Sequence, residues 1–484
     1  MKIDIHNLTI KSAHDHLIGG DFSALELTEA YLKNTEAKNK EINAYLEVFE
    51  DARDSAKEAD KKIKEKKADI LTGIPFAIKD NILIKGKIAS SASKILQNYR
   101  ATYDATVIEK LKEEGAVILG RTNMDEFAMG GSTENSAFGV TKNPHDLSRV
   151  AGGSSGGSAA SVAMDGALVA LGSDTGGSVR EPASFCGAVG LKPTYGAVSR
   201  YGLMAMGSSL DQIGPITKTV EDAEIIFNAI SGEDPKDSTS LSMSNYQKEK
   251  IDKGKKKLVI GVPRDFLSGE GIDKTVLENF EKSIKKLEDL GFEVKEVSLP
   301  SIKYSLAVYY IIMPAEASTN LARFDGMKYG LRKDGEKLLD DYLLSRGEGF
   351  GKEVRRRIIL GAYVLSSGYY DAYYNKANMV RGLIKEDFKN IFSGKDSVDF
   401  ILTPTAPTPA FKIGEKTNDP LSMYLADIFT VTANISGLPA ISVPSGFKEE
   451  DGKKLPLGIQ FMASYGREDL LFRAGKLFLG EDNQ

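Results

Sequence analysis

The amino-acid sequence predicts an α/β fold, in which buried strands alternate with amphipathic helices along most of the chain. Short apolar runs of strand length begin after residue 71, at 74–78, 116–120, 167–172, 258–262, 400–404 and 440–444. Helical patterns separate several of these runs, the clearest being TVIEKLKEEG at 106–115. Continuous apolar runs are typical of strands that are buried on both faces, which favours an α/β architecture.

Residues 1–70 are predicted to form a charged helical segment that precedes the main body of the chain. Ser23 and Glu26 have the spacing of a capping box, which marks a helix start, and apolar residues follow at helical steps. Residues 71–484 are predicted to form the core, with a helix-rich insertion at about 300–390. We expect these parts to make one integrated domain.

The charge balance and the histidine and cysteine content exclude several classes of protein. Lysine and arginine number 63 and aspartate and glutamate 68, a formal net charge of −5, whereas a chain built mainly to bind nucleic-acid phosphates needs a basic surface. We expect no metal site, because zinc-ligand spacing is missing among His6, His14, His16, His145 and Cys186.

The sequence also predicts a cytoplasmic protein. Its single cysteine cannot form an internal disulfide, which fits a reducing compartment. The first residues, MKIDIHNLTI, contain no long apolar stretch of the kind that targets a chain for export. No run of about 18 apolar residues occurs, so we expect no membrane span.

A glycine- and serine-rich centre, residues 129–190, contains the strongest functional signal. Gly152 and Gly157 have the spacing of a phosphate-binding loop, but Ser158 and Ala159 stand where that loop needs Lys and Ser or Thr. The stretch 152–156 also matches the nucleophile elbow of α/β-hydrolases, GxSxG. That alternative fails because its histidine must follow the serine, and the last histidine of the chain, His145, precedes it.

A serine nucleophile with a base other than histidine is the remaining catalytic hypothesis. Ser178 follows an apolar run and the turn Thr175-Gly176-Gly177, whose backbone amides could stabilise an oxyanion. Lys79 ends the apolar run IPFAI, where desolvation could lower its pKa enough for it to act as a base. The alternatives at this point are a glycine-rich turn that only packs tightly, and an ion pair between Lys79 and Asp80.

Three stretches resemble the signature of the amidase signature family: PFAIKDN at 75–81, AGGSSGGSAAS at 151–161 and GSDTGGSVREPASFCG at 172–187. The resemblance covers nearly the whole chain. It implies an α/β/α sandwich around a large mixed β-sheet, with a cis peptide bond before Ser154. By motif position it implies Ser178 as the nucleophile, Ser154 as the bridging serine and Lys79 as the base.

Other residues of the signature are expected to support this set. The backbone amides of Thr175, Gly176, Gly177 and Ser178 are expected to donate to the oxyanion. Asp125 and Arg180 are expected to pair and brace the site, Asp174 to hold the loop before the nucleophile, and Cys186 to pack in the core.

The later part of the chain resembles a branch of this family, the glutamine-hydrolysing subunits of tRNA-dependent amidotransferases, at 308–330, 353–374 and 420–446. This implies that glutamine is held by Tyr309, Arg357 and Asp427. A guanidinium fork suits its α-carboxylate and a carboxylate suits its α-ammonium. Residues 355–357 are three consecutive arginines, so the arginine that binds the substrate is assigned only to within one position. We also assign three residues of the glycine-rich centre to substrate binding, namely Met129, Gly130 and Gly131.

The same resemblance implies partners and cofactors. It implies a heterotrimer with a B subunit that binds tRNA, ATP and magnesium and a small C subunit, so that this chain itself needs no cofactor. Its ammonia would convert Glu-tRNA(Gln) to Gln-tRNA(Gln). One alternative is a stand-alone amidase acting on small-molecule amides, which should lack the charged clamp formed by Arg357 and Asp427. The other is a catalytically silent scaffold, and the intact Lys79, Ser154 and Ser178 argue against it.

Overall fold

A computed structural model describes residues 3–242, 257–267, 271–394 and 396–481. In chain order its strands are β1 (Tyr45–Val48), β2 (Pro75–Lys79), β3 (Val117–Thr122), β4 (Lys142–Asn143), β5 (Asp146–Val150), β6 (Val169–Asp174), β7 (Val189–Lys192), β8 (Gln212–Thr217), β9 (Val259–Val262), β10 (Glu293–Glu296), β11 (Phe400–Pro404), β12 (Ala440–Glu450) and β13 (Lys453–Ala463). Within these residues, β4 and β5 form a small hairpin and the others form an 11-stranded sheet.

The large sheet is mixed, with the strand order β1-β3-β2-β6-β8-β7-β12-β13-β11-β9-β10. β2 runs parallel to both β3 and β6, while β6, β8, β7, β12 and β13 pair in antiparallel fashion. Its central strands are buried throughout, including β2, β6 and β8. This architecture confirms the predicted α/β fold with a large mixed sheet.

The helices flank this sheet. In chain order they are α1 (Ile10–Gly19), α2 (Ala24–Ile42), α3 (Ala52–Lys64), α4 (Thr106–Glu113), α5 (Gly156–Ala163), α6 (Arg180–Cys186), α7 (Val220–Ile230), α8 (Arg264–Leu267), α9 (Lys274–Asp289), α10 (Ser305–Asn320), α11 (Leu338–Gly349), α12 (Lys352–Val364), α13 (Lys376–Ser393), α14 (Pro420–Leu425), α15 (Val431–Ser436) and α16 (Glu468–Leu479). No helix among the described residues is long and apolar enough to cross a membrane.

The local signals of the sequence are largely confirmed. Each of the six apolar runs contains a strand, and the pattern at 106–115 forms α4. At the start of α2 the Ser23 amide donates to Glu26 Oε2 (2.8 Å) and the Glu26 amide donates to Ser23 Oγ (3.1 Å), which is the predicted capping box. Strand β1 was not predicted; it lies inside the segment expected to be helical and pairs with β3.

Two apolar clusters position the functional site. The larger one surrounds the central strands and includes Phe76 and Leu171, both fully buried. The second joins α10 to the loop after β3, through Tyr309, Met313 and Phe127. Residues 300–390 are mainly helical, in α10 to α13, and the division of the chain into a leading segment, a core and an insertion stays a prediction.

Candidate active site

Lys79 is placed at the end of β2 among three serines. Because β2 and β6 are parallel neighbours, Lys79 and Ser173 come together at the carboxyl edge of the sheet. Lys79 Nζ lies 2.7 Å from Ser154 Oγ, 2.8 Å from Ser155 Oγ and 2.9 Å from Ser173 Oγ. The side chain is fully buried, and this burial lowers the pKa of Lys79 from its ordinary 10.5 to about 7.

The alternative ion pair between Lys79 and Asp80 does not form. Asp80 points to the other side of the strand, where its carboxylate accepts from Arg121 Nη1 at 2.9 Å and from the Ala92 amide at 2.9 Å. Lys79 Nζ makes its hydrogen bonds to hydroxyl and carbonyl oxygens instead. A buried amine with neutral partners is suited to lose its proton near neutral pH.

Ser154 follows a cis peptide bond from Gly153, as the family resemblance implied. The Gly153 amide donates to Glu181 Oε2 (2.9 Å), and the Ser154 carbonyl accepts from the Asp125 amide (3.2 Å). A Cβ on Gly153 would collide with the Asp125 carboxylate, so this position requires glycine. The loop is thereby fixed on both sides of the peptide that presents Ser154.

Ser178 lies in the turn between β6 and α6, and Asp174 holds that turn as predicted. The Asp174 carboxylate accepts from the amides of Gly177 (2.9 Å) and Val179 (3.1 Å). The Ser178 carbonyl accepts from the Ser155 amide at 3.1 Å, which ties the two serine-bearing loops together. Ser178 is 8% exposed.

Two expectations for this region are corrected. Arg180 pairs with Asp174, with Nη2 at 3.0 Å from Oδ1, and not with Asp125. Asp125 instead accepts from the amides of the 132–135 turn, because it lies behind that turn. The Gly177 amide was expected to face an oxyanion, but it is occupied by Asp174.

The amides left for an oxyanion are therefore those of Thr175, Gly176 and Ser178. Across the described parts of the chain, these three make no hydrogen bond to a protein acceptor. The Thr175 hydroxyl is held by Asp211 Oδ1 at 2.6 Å, which fixes the turn from the side of β8.

Ser178 opens onto a small pocket that brings together all the predicted substrate-binding residues. Two glycine-rich segments form one side, and α10, α12 and the 423–427 segment form the other. The residues that line it are Ala128, Met129, Gly130, Gly131, Gly176, Ser178, Met206, Tyr309, Tyr310, Met313, Arg357, Met423 and Asp427. α10 and α12 pack against each other and share the second apolar cluster with the loop after β3, which gathers these residues around Ser178.

The pocket contains one cation and one anion at different positions. Arg357 is 3% exposed and lines the pocket, whereas the Arg356 side chain is 44% exposed and Arg355 donates to the exposed Gly347 carbonyl. This geometry selects Arg357 from the run of three arginines. Asp427 is buried, and burial raises the pKa of its carboxyl from 3.8 to about 7.

Several residues of the site were not predicted from the sequence. Tyr310 donates to Asp427 Oδ2 at 2.7 Å, and Thr430 donates to the Gly176 carbonyl at 2.6 Å. Ser155 and Ser173 contact Lys79, and their positions beside Ser154 and at the end of β6 were the available signals. Tyr310 carried no such signal, since two consecutive tyrosines on a helix do not reveal which one meets a carboxylate.

Other polar candidates lie outside the pocket. Cys186 is buried, its thiol donates to the Ala151 carbonyl (3.4 Å), and burial raises the pKa of that thiol. His145 contacts the Cys186 carbonyl at 3.1 Å. Within residues 3–242, 257–267, 271–394 and 396–481, no group of histidine, cysteine and acidic residues is arranged to hold a metal ion.

Comparison with known proteins places this geometry in a family. The Amidase family profile matches residues 26–472. The chain is 55% identical over 483 residues to the A subunit of glutamyl-tRNA(Gln) amidotransferase of Thermoanaerobacter pseudethanolicus, covering 98% of this chain and 96% of the relative. The same-named protein of Desulfatibacillum aliphaticivorans is 53% identical over 477 residues, covering 98% and 97%.

A solved structure agrees with these sequence relatives. The crystal structure of the A subunit of glutamyl-tRNA(Gln) amidotransferase from Thermotoga maritima is 43% identical, with a TM-score of 0.76 over 99% of this chain and 94% of that chain. The likeness therefore extends over the sheet, the helical region and the pocket alike.

Proposed function

The chain belongs to the amidase family, and from this premise we propose that it is the glutamine-hydrolysing subunit of a glutamyl-tRNA(Gln) amidotransferase. The observation that best supports this function is that Ser178, Arg357 and Asp427 line the same pocket. Glutamine is a zwitterion with a side-chain amide. A cation for its α-carboxylate, an anion for its α-ammonium and a nucleophile for its amide match its three functional groups.

In the proposed reaction, Ser178 Oγ attacks the side-chain amide carbon of glutamine. The hydroxyl proton of Ser178 passes to Ser154, and Ser154 passes its own proton to neutral Lys79. The amide C–N bond breaks, the nitrogen regains a proton through the same relay, and ammonia leaves. Water then attacks the glutamyl ester on Ser178 and releases glutamate, which restores the free serine.

The negative oxygen of the tetrahedral intermediate needs donors that do not move. The amides of Thr175, Gly176 and Ser178 are the proposed donors, because the described parts of the chain give them no other acceptor and the turn is fixed at both ends. Removing one donor from such a site costs about 10²–10³ in kcat in other hydrolases. The Gly177 amide contributes indirectly, by fixing the turn to Asp174.

Partners are proposed from the name of the relatives and from the exposed surface of the helical region. A protein named as one subunit works in an assembly, and the proposed assembly contains a B subunit that binds tRNA, ATP and magnesium and a small C subunit. Helices α11 to α14 expose large apolar side chains by more than half, at Leu338, Leu339, Leu343, Ile359, Met379, Leu383 and Leu421. A partner that covers this region would remove them from water. The proposed location is the cytoplasm, where protein synthesis would use the product.

Ammonia release by the purified chain, alone and with candidate B and C subunits, tests this proposal. L-glutamine should be hydrolysed, uncharged amides such as butanamide should not, and Ser178→Ala should release nothing from either. Ready cleavage of butanamide would instead support the alternative, a stand-alone amidase for small amides. No ammonia from glutamine, even in the assembled complex, would contradict the proposed function.

A further inference from the structure

Arg357 is held by a neighbour that does not line the pocket. Glu353 lies one turn earlier on α12, and its Oε1 accepts from Arg357 Nε at 2.6 Å. The two side chains are 4% and 10% exposed, so this ion pair is closed off from water. Because Glu353 occupies the Nε edge of the guanidinium, only the terminal amino groups of Arg357 remain for a ligand.

Those terminal groups are almost unused by the protein. Nη1 has only a weak contact with Met313 Sδ at 3.7 Å, and Nη2 donates no hydrogen bond to any acceptor among the described residues. The Met313 side chain lines the pocket, so this edge of the guanidinium faces the space beside Ser178. A fork with two free donors is the arrangement that binds a carboxylate in a bidentate manner.

Glu353 also connects Arg357 to the 423–427 segment, on the same side of the pocket. Its Oε1 accepts from the Tyr424 hydroxyl at 3.0 Å, and the Arg357 guanidinium lies over the rings of Tyr424 (4.6 Å) and Tyr310 (4.8 Å). These two rings are stacked at 4.1 Å. One carboxylate and two tyrosine rings therefore surround the Arg357 guanidinium, which leaves it little freedom to rotate.

The charge count around Glu353 favours binding of an anion. Glu353 pairs with Arg356 as well as Arg357, so one carboxylate serves two guanidinium groups. The Arg356 side chain is 44% exposed, so water also solvates its charge, whereas the Arg357 guanidinium is buried at the pocket. A substrate carboxylate would give the free terminal amino groups of Arg357 an acceptor, whereas an apolar group at that position would leave these buried donors without one.

We propose that Glu353 is the positioning residue that aims the fork of Arg357 at the substrate and thereby selects amides with an α-carboxylate. The inference rests on the proposed glutamine-hydrolysing function. Asp427, the proposed partner of the α-ammonium, is positioned independently, because it is held by Tyr310 and not by Glu353. The two halves can therefore be tested with two amides that each lack one charge of glutamine.

The test compares kcat/KM for glutamine with kcat/KM for 4-aminobutanamide, which lacks the α-carboxylate, and for glutaramate, which lacks the α-ammonium. In Glu353→Ala we expect KM for glutamine and glutaramate to rise roughly tenfold, with kcat changing less, as for loss of a ground-state contact. The value for 4-aminobutanamide should stay within about twofold, since that amide makes no use of the fork. Tyr310→Phe should give the opposite pattern and spare glutaramate.

Matched variants keep the result interpretable. Glu348→Ala removes a glutamate of α11 from an exposed ion pair with Lys333 and should not change kcat/KM for any of the three substrates. Glu353→Gln keeps an acceptor for Nε but loses the charge, and should give an intermediate effect even if the alanine variant folds poorly. An equal loss on all three amides, or an unchanged KM for glutamine, would overturn the inference. Failure of the wild-type enzyme on glutamine, both alone and in the assembled complex, would instead refute the proposed function.

Discussion

The Nζ atom of Lys79 lies 2.7 Å from the Oγ atom of Ser154, and both side chains are fully buried. Protons can move between these atoms only if Lys79 is neutral, and burial lowers its pKa from 10.5 to about 7. The amine is protonated below this pH and neutral above it. The pH at which activity appears is therefore a property of this contact.

We predict that kcat for saturating glutamine rises with pH and levels off above about pH 7. Below that value Lys79 carries a proton and cannot accept one, so kcat should fall about tenfold per pH unit. Stopped-assay ammonia release at saturating substrate measures this directly. A flat profile between pH 5 and about 9 would mean that Lys79 is not the base.

A second pH effect should appear in binding. Burial raises the pKa of Asp427 to about 7, and only the ionised carboxylate attracts the α-ammonium of glutamine. We therefore expect KM for glutamine to rise below pH 7, while KM for glutaramate stays nearly constant. A parallel rise for both amides would remove Asp427 from the role of ammonium partner.

Replacing Lys79 distinguishes a role as a general base from a role as a positive charge only. Lys79→Arg keeps a cation that does not deprotonate in proteins, and Lys79→Met keeps the length of the stem without the amine. Both should lower kcat by about 10²–10⁴, the usual contribution of general acid–base catalysis. Retention of activity in the arginine variant would show that the site needs only a positive charge. Circular dichroism of each variant controls for folding.

Gly176 should not tolerate a larger residue, because Tyr309 occupies the space that a side chain would need. A Cβ there would lie 2.6 Å from Tyr309 Cζ, closer than such contacts occur, so either the turn or the tyrosine must shift. We expect Gly176→Ala to lower kcat/KM for glutamine by about 10² or more, because a small misplacement of oxyanion donors is costly. The free energy of unfolding should change much less, and a normal kcat/KM would contradict this geometry.

Asp174 should matter for stability as well as for activity. Burial alone would raise its pKa, but the Arg180 guanidinium at 3.0 Å outweighs burial and lowers that pKa to about 2. Asp174→Asn leaves Arg180 buried without its anion, which typically costs about 3–5 kcal/mol of unfolding free energy. Urea denaturation measures this. The matched control Asp289→Asn breaks an exposed pair with Lys285 and should leave the midpoint unchanged.

The sequence predicted the features that depend on local pattern. The six apolar runs formed strands because continuous burial requires apolar side chains, and the ends of β2 and β6 bring Lys79 beside Ser173 because parallel neighbours end at one edge. The family resemblance placed Ser154 and Ser178 on the adjoining loops. These two serines and Lys79 can be recognised from the amino-acid sequence alone, because they lie within short, specific motifs.

The remaining features depend on packing between distant segments. Arg180 pairs with Asp174 rather than Asp125 because the start of α6 turns its side chain back toward the end of β6. The Gly177 amide is engaged by the same carboxylate. Tyr310 and Glu353 became part of the site only because α10 and α12 pack with these faces toward the pocket. None of these contacts has a signature in the spacing of the residues.

The measurement that tests the central claim most directly is mass spectrometry of the enzyme quenched in acid during turnover of glutamine. A covalent mechanism predicts that a fraction of the protein gains the mass of one glutamyl group, and that peptide mapping places it on Ser178. Ser178→Ala should show no adduct, and Lys79→Met should accumulate little. A glutamyl group on another residue would contradict the covalent mechanism. So would ammonia release with no ester trapped on the enzyme and no glutamyl hydroxamate formed when hydroxylamine is added to intercept the ester.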